Sequence, residues 1–126
     1  MLKIGLTGSS GSLGKVLLKY NKKKKIKSFK DDITKRKKVF NWIKKNNFDV
    51  VIHLAAIVPI KTVNNNKIKA KNVNFKGTKN IVDACLDNNV SWIFFSSTSH
   101  VYNSSKNKIA ESYPTKPISF YGNTKL

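Results

Sequence analysis

The 126-residue sequence predicts an α/β fold: a parallel sheet, doubly wound, with helices on both faces. Three observations predict it. Short apolar runs alternate with helical patterns, the order of βαβ units. Two of the runs, residues 49–54 and 91–97, are nearly continuous in apolar residues, as strands covered on both faces are. The first run, residues 3–7, passes through glycines at positions 8, 11 and 14 straight into a helical pattern.

Taken in order, residues 3–7 form the first strand and residues 12–20 the first helix. The lysine cluster 22–25 is a solvated turn, followed by a short strand over 26–29 that ends at Asp31-Asp32-Ile33-Thr34. Thr34 is a plausible N-cap for a helix reaching Asn46, with Val39, Phe40 and Ile43 on one face and Trp42 packing beside it. The buried strand 49–54 stops at Ala55-Ala56, and Pro59 marks a loop. A long helix over 66–89 turns Val73, Ile81, Val82, Cys85 and Leu86 to the core. Residues 91–97 are another buried strand, and after a polar loop with Pro114 and Pro117 a last helix opens at Ser119. No internal repeat is visible. Ligands of such sheets bind beyond the carboxyl ends of the strands. Residues 8–14, 31–32, 54–56 and 96–98 all fall at those ends.

Length allows one domain, residues 1–126. The opening apolar run is broken by Lys3 and Gly5, unlike a signal peptide, and no apolar run nears the roughly 20 residues that span a bilayer. Cys85 is the only cysteine and cannot form an internal disulfide, which suits a reducing compartment; its apolar helical setting suits a buried structural thiol. A cytoplasmic protein with no membrane partner is expected. The net charge of +19 raises the question of nucleic acid. Yet Arg36 is the only arginine, and phosphate and base recognition favours arginine's planar fork. Lysine and asparagine in excess together read as a compositional bias spread over solvated faces, so no nucleic-acid partner is expected.

Strand, tight glycine turn and helix bring a helix N-terminus and its backbone N–H groups up to a phosphate. One glycine makes the turn, one lets the backbone approach a pyrophosphate, and one lets helix pack on strand. Tyr121 and Lys125 stand four apart, on one face of a helix. A free phenol is a poor base at neutral pH, and a neighbouring ammonium lowers its pKa, so the pair can shuttle a proton. The hydroxyl run Ser96-Ser97-Thr98-Ser99 ends a strand and can hydrogen-bond a reacting oxygen, or serve only as a turn.

Six segments occur in order: Thr7 to Gly14; Asp32-Ile33; His53-Leu54-Ala55-Ala56; Val73-Asn74-Phe75-Lys76-Gly77-Thr78; Phe95 to Tyr102; and Tyr121 to Leu126. Together they resemble the extended short-chain dehydrogenase/reductases, the NAD(P)-dependent epimerase/dehydratase group. The resemblance implies a Rossmann-like sheet binding NAD or NADP, with no metal. It implies cofactor contacts from Thr7, Gly8, Ser10, Gly11, Ser12, Leu13 and Gly14. Asp31, Asp32 and Ile33 would serve the adenosine, with Leu54, Ala55, Ala56, Ser96 and Ser97 along the groove and Asn74 supporting it. Thr98 takes the catalytic Ser/Thr position, with Ser97 as the fallback register. Tyr121 is the acid/base, and Lys125 binds the nicotinamide ribose, lowers the tyrosine pKa and completes the cofactor contacts with Tyr121. His53 matches a structural strand histidine, and His100 falls where substrate-specific residues sit.

The implied substrate is a nucleotide-sugar; epimerase, dehydratase and reductase stay open, as does a non-catalytic dinucleotide-binding module. The short interval between Gly14 and Asp31 is similar to the dTDP-4-dehydrorhamnose reductase branch and leaves NAD and NADP undecided. Asn103 stands where the family usually has glycine. Members run well past the Tyr-x-x-x-Lys helix and commonly pair as homodimers. By that measure the chain resembles an amino-terminal portion, truncated before the last strands and the substrate-binding region.

Overall fold

A computed structural model describes residues 2–21, 26–58 and 60–126; the lysine turn at 22–25 and the loop at Pro59 lie outside the described residues. Four short strands carry the apolar runs: β1 (Ile4–Thr7), β2 (Ile26–Ser28), β3 (Val50–His53) and β4 (Trp92–Phe95). All pair in parallel in the order β2-β1-β3-β4, with Ile4 opposite Ile26 and Val50, and Val50 opposite Trp92. β1 has a strand on either side and is buried along its whole length. Chain order reverses between β1 and β3, where loops leaving neighbouring strands part and open a crevice.

The helices are α1 (Ser12–Tyr20), α2 (Arg36–Asn46), α3 (Ile60–Asn65), α4 (Lys67–Lys71), α5 (Thr78–Asp87) and α6 (Phe120–Lys125). The expected long helix is present as α4 and α5, joined by a π-helical turn, Asn72–Gly77, that keeps right-handed helical backbone at both junctions. α3, just after Pro59, was not foreseen. α2 ends on Asn47 in the left-handed conformation (φ 45°), a conformation asparagine tolerates.

Phe29, Ile33, Val39, Ile43, Phe48, Val51, Ile81, Ala84 and Cys85 form the core between α2, α5 and the sheet. Trp42 packs there as expected, its ring 5.0 Å from Phe29 and 4.7 Å from Phe48. Cys85 is buried, and burial pushes its thiol pKa up to about 12, the state of an inert structural cysteine.

Three expectations are corrected. Thr34 is not the cap of α2: its N–H and hydroxyl both donate to Asp32 Oδ1 at 2.8 Å, so the helix starts two residues later. Val82 and Leu86 face outward from α5, Leu86 being 70% exposed; the core stripe is Ile81, Ala84 and Cys85. β4 is not covered on both faces: Trp92 and Phe94, which share one face, are exposed.

Candidate functional site

Two adjoining clefts follow the carboxyl edge of the sheet. One, about 450 Å³, is lined by Gly8, Ser10, Gly11, Ser12, Leu13, Gly14, Leu54, Ala55 and Ala56, joined by Val58 and Val73. The other, about 400 Å³, continues past Gly8, Ser9 and Ser10 to Phe29, Lys30 and Asp31. Both include Gly8, Ser10 and Ala55, so they form one groove across the β1–β3 crevice toward β2.

The three glycines stand in different surroundings. Gly8 has φ +72°, and a Cβ there would lie 2.6 Å from the Ala55 nitrogen. A Cβ on Gly14 would lie 2.4 Å from the Gly8 oxygen, where α1 packs on the turn. Gly11 is different: a Cβ there would meet only the Gly8 oxygen, at 3.4 Å, and its backbone is ordinary extended N-cap geometry. Gly11 lines the open groove, and nothing packed against it within the protein demands a glycine there. Gly11 places no side-chain cap on α1, and no acidic residue occupies the first turn, so the helix's amino-terminal N–H groups keep their pull on an anion. These features fit a dinucleotide pyrophosphate.

At the end of β2 the acids are spoken for. Asp31 lines the groove but pairs with Lys38. Asp32 caps the turn, and the Thr34 backbone N–H, then its hydroxyl, hold its carboxyl below the usual range. Ile33 is buried in the core, 2.6 Å from where a Gly77 Cβ would be. The Asp32 side chain is exposed and Ile33 is turned into the core, and neither lines the groove; Lys30, which sequence reasoning passed over, lines it beside Asp31. Thr7 is fully buried, its hydroxyl 2.6 Å from His53 Nδ1, and it does not line the groove.

The second cluster gathers beyond β4. Ser119 caps α6 by accepting from the Gly122 N–H at 3.0 Å. Thr98 caps the short 3-10 turn Ser99–Val101 by accepting from the His100 N–H at 3.2 Å, and its side chain lies beside the Tyr121 phenol. Ser97, the alternative, reaches instead to the Lys125 carbonyl, at 3.4 Å. The Ser96 N–H donates to the His53 carbonyl at 3.4 Å, extending the ladder rather than facing the groove. His100 stands edge-on to the Tyr121 ring, 5.9 Å between centroids.

Burial raises the Tyr121 pKa, with the Thr98 side chain opposing it, and burial lowers that of Lys125. The expected lowering of the phenol by Lys125 is absent: the ammonium lies over the Phe95 ring, 4.5 Å from its centroid. Thr98 and Tyr121 are thus together, while Lys125 lines a separate hollow of about 240 Å³ with Asn74, Thr78 and Phe95. None of the three lines the glycine groove. Asn74 stands between: its Oδ1 accepts from the Ile57 N–H at 2.7 Å, and its Nδ2 donates to the Ile57 carbonyl at 3.2 Å and to Thr124 Oγ1 at 3.1 Å. Thr78 and Thr124 were missed as members of this network; the only sequence signal was their place inside two of the ordered segments.

Among the described residues no group of three or more His, Cys, Asp and Glu could hold a metal, and no helix is long and apolar enough to cross a membrane.

Known proteins resemble this chain in sequence and fold. An uncharacterized UDP-glucose epimerase of Bacillus subtilis is 29% identical over 114 residues, which cover 81% of this chain and 35% of that protein. A dTDP-4-dehydrorhamnose reductase ortholog from Clostridium acetobutylicum superposes with a TM-score of 0.89 at 29% identity, covering 98% of this chain and 46% of that one. The Bacillus anthracis dTDP-4-dehydrorhamnose reductase, solved in complex with NADP, gives 0.90 at 24% identity with the same coverages, a likeness of fold. The chain spans less than half the length of each. Residues 2–126 match the family described as the RmlD substrate binding domain, and the chain belongs to that family.

Proposed function

We propose that the chain forms the dinucleotide-binding part of an NAD(P)-dependent enzyme that epimerises, dehydrates or reduces a nucleotide-linked sugar. The observation that carries this is the open groove before Gly11, which no packing demand within the protein explains. Ser10, Gly11, Ser12, Leu13 and Gly14 offer the pyrophosphate its seat at the N-terminus of α1. Leu54, Ala55 and Ala56 form the opposite wall, small enough for a flat ring system to lie along the crevice. Lys30 and Asp31 border the adenosine end, and Asn74 braces the loop after β3.

When bound, the nicotinamide supplies the hydride donor or acceptor. The protein's part is the proton. Burial keeps the Tyr121 phenol protonated at neutral pH, the form that can donate to a developing alkoxide. Thr98 orients that phenol and can share a hydrogen bond with the same oxygen. Lys125, its pKa lowered by burial, shares the helix of Tyr121 and would move from its place over Phe95 to hold a ribose hydroxyl.

Titrating the chain with NADH and with NADPH, followed by nicotinamide fluorescence, tests the reading. Saturable binding of at least one is expected; binding of neither refutes it. In a protein of the relatives' full length, Tyr121→Phe removes turnover and keeps cofactor affinity.

A further inference from the structure

His53 is buried at the end of β3, and both its ring nitrogens are occupied. Thr78 decides which nitrogen carries the proton. The Thr78 hydroxyl donates its single hydrogen to the Asn74 carbonyl at 2.6 Å, and a carbonyl can only accept. Toward His53 Nε2, 2.9 Å away, Thr78 can therefore only accept, so Nε2 bears the hydrogen. Nδ1 is then the acceptor, and Thr7, 2.6 Å away, donates to it. The Thr7 oxygen in turn accepts from the Ala55 N–H at 3.3 Å. Every bond points the same way, from Ala55 through Thr7, His53 and Thr78 to Asn74, whose amide grips Thr124 of α6. Thr124 closes the path by donating to the Tyr121 carbonyl at 2.8 Å.

We infer that His53, as the neutral tautomer protonated at Nε2, is a positioning residue that ties the glycine groove to the helix of Tyr121 and Lys125 through this one-way chain. It touches neither cluster's reacting atoms; it sets the distance between them. The neighbours agree. Phe95 stacks on the ring at 5.9 Å from β4, and Lys125 of α6 is the charged group facing it. An imidazolium would meet that ammonium and would leave the Thr7 hydrogen without an acceptor. The functional part of the inference rests on the dinucleotide reading above.

Two measurements on this chain test it. The first is the ¹⁵N resonances of the ring nitrogens, with exposed His100, the only other histidine, as internal reference. Expected for His53 is a pyrrole-like Nε2 and a pyridine-like Nδ1, persisting at pH values below the ordinary histidine midpoint. The opposite tautomer, or fast exchange between the two, overturns the inference. The second separates hydroxyl from shape. Thr78→Ser keeps the hydroxyl and loses a methyl; Thr78→Val keeps the shape and breaks the chain. The affinity of whichever of NADH and NADPH binds the parent should stay within about twofold for Thr78→Ser and fall about tenfold for Thr78→Val, which removes both hydrogen bonds of the Thr78 hydroxyl. Equal affinities in the two variants, or a weaker Thr78→Ser, overturn it. If the parent binds neither dinucleotide, the function proposed above fails while the tautomer still decides the chain's direction. If Thr78→Val does not fold, the tautomer likewise decides.

Discussion

Replacing Gly11 by alanine separates a glycine that the protein needs from one that its ligand needs. The added Cβ would meet one atom, the Gly8 oxygen at 3.4 Å, an ordinary contact, and the backbone at φ −73°, ψ 168° suits any residue. An alanine N-cap costs about 0.5 kcal/mol, while the stiffer unfolded chain returns about 0.4–1 kcal/mol. The two offset, so the melting temperature should move by only a few degrees, roughly the effect of less than 1 kcal/mol in a domain of this size. Gly8→Ala and Gly14→Ala should behave otherwise. The first forces alanine to φ +72°, about 1–2 kcal/mol, and drives its Cβ to 2.6 Å from a backbone nitrogen; the second drives it to 2.4 Å from a backbone oxygen. Each should cost about 3 kcal/mol or more once the backbone shifts are included. On the proposed dinucleotide reading, the alanine methyl at 11 stands in the groove that the pyrophosphate would enter. Losing one charge-assisted N–H bond there, about 2 kcal/mol, weakens dinucleotide binding about thirtyfold. Urea denaturation and NADPH or NADH titration of the three variants make the comparison. A folded Gly11→Ala protein that binds as tightly as the parent would refute the assignment of this groove, and one that unfolds as readily as Gly8→Ala would refute the steric reasoning.

The remaining expectations concern stability. His53 is held neutral, its pKa pushed from 6.5 to about 4, first by burial and then by Lys125. The unfolded chain binds the extra proton between those values. The contribution is therefore complete above pH 6.5 and is lost as pH falls toward 4, at most about 3 kcal/mol. Urea midpoints measured from pH 7 to 5 should fall more steeply for the parent than for His53→Gln; parallel curves would show the reasoning wrong. Cys85, with its thiol pushed up to about 12, should resist iodoacetamide in the native state and alkylate on unfolding, so rapid native labelling would contradict its burial. Gly122→Ala places a Cβ 2.2 Å from the His100 carbonyl oxygen and 2.9 Å from Pro117 Cβ, which should lift α6 from its seat at a cost of about 1–3 kcal/mol. Amide exchange across residues 120–125 should quicken; unchanged protection would count against that close packing.

The parts of the fold written in local pattern were legible. Strand, glycine turn and helix is a contiguous signal, and α1 was placed over Ser12–Tyr20, the range it has. What a strand or helix face meets is not local. Trp92-Ile93-Phe94-Phe95 reads the same in the middle of a sheet as at its edge, and only the order β2-β1-β3-β4 puts it at the edge. The α5 stripe failed for a related reason. Val82 and Leu86 are as apolar as Ile81 and Cys85, and the choice between the two faces is made by α2 and the sheet, not by α5. Asp32 and Ile33 show the same limit over three residues. Adjacent in sequence, they were assigned together; the Thr34 N–H claims one, and Gly77, far along the chain, leaves the space that buries the other.

The candidate site divides along the same line. Ala55-Ala56 were drawn in by the resemblance and by their place at the end of a strand, while the glycine turn could be read from spacing, because spacing is what makes the turn. Residues that act through a hydrogen bond to a distant partner could not. Thr7 and His53 are 46 positions apart, His53 and Thr78 are 25 apart, and Asn74 and Thr124 are 50 apart. A threonine in a strand and another at a helix start are ordinary in any sequence. They acquire a direction only when a carbonyl fixes the Thr78 hydrogen and so, two bonds away, the proton on His53. Histidine suits this place because a neutral imidazole offers one donor and one acceptor on opposite sides of a rigid ring. A glutamine carries both on one end of a flexible chain, and a phenylalanine carries neither. The requirement at position 53 is thus for two-sided polarity inside an apolar layer, and it is met by a residue whose usual function, titration near neutrality, its burial suppresses.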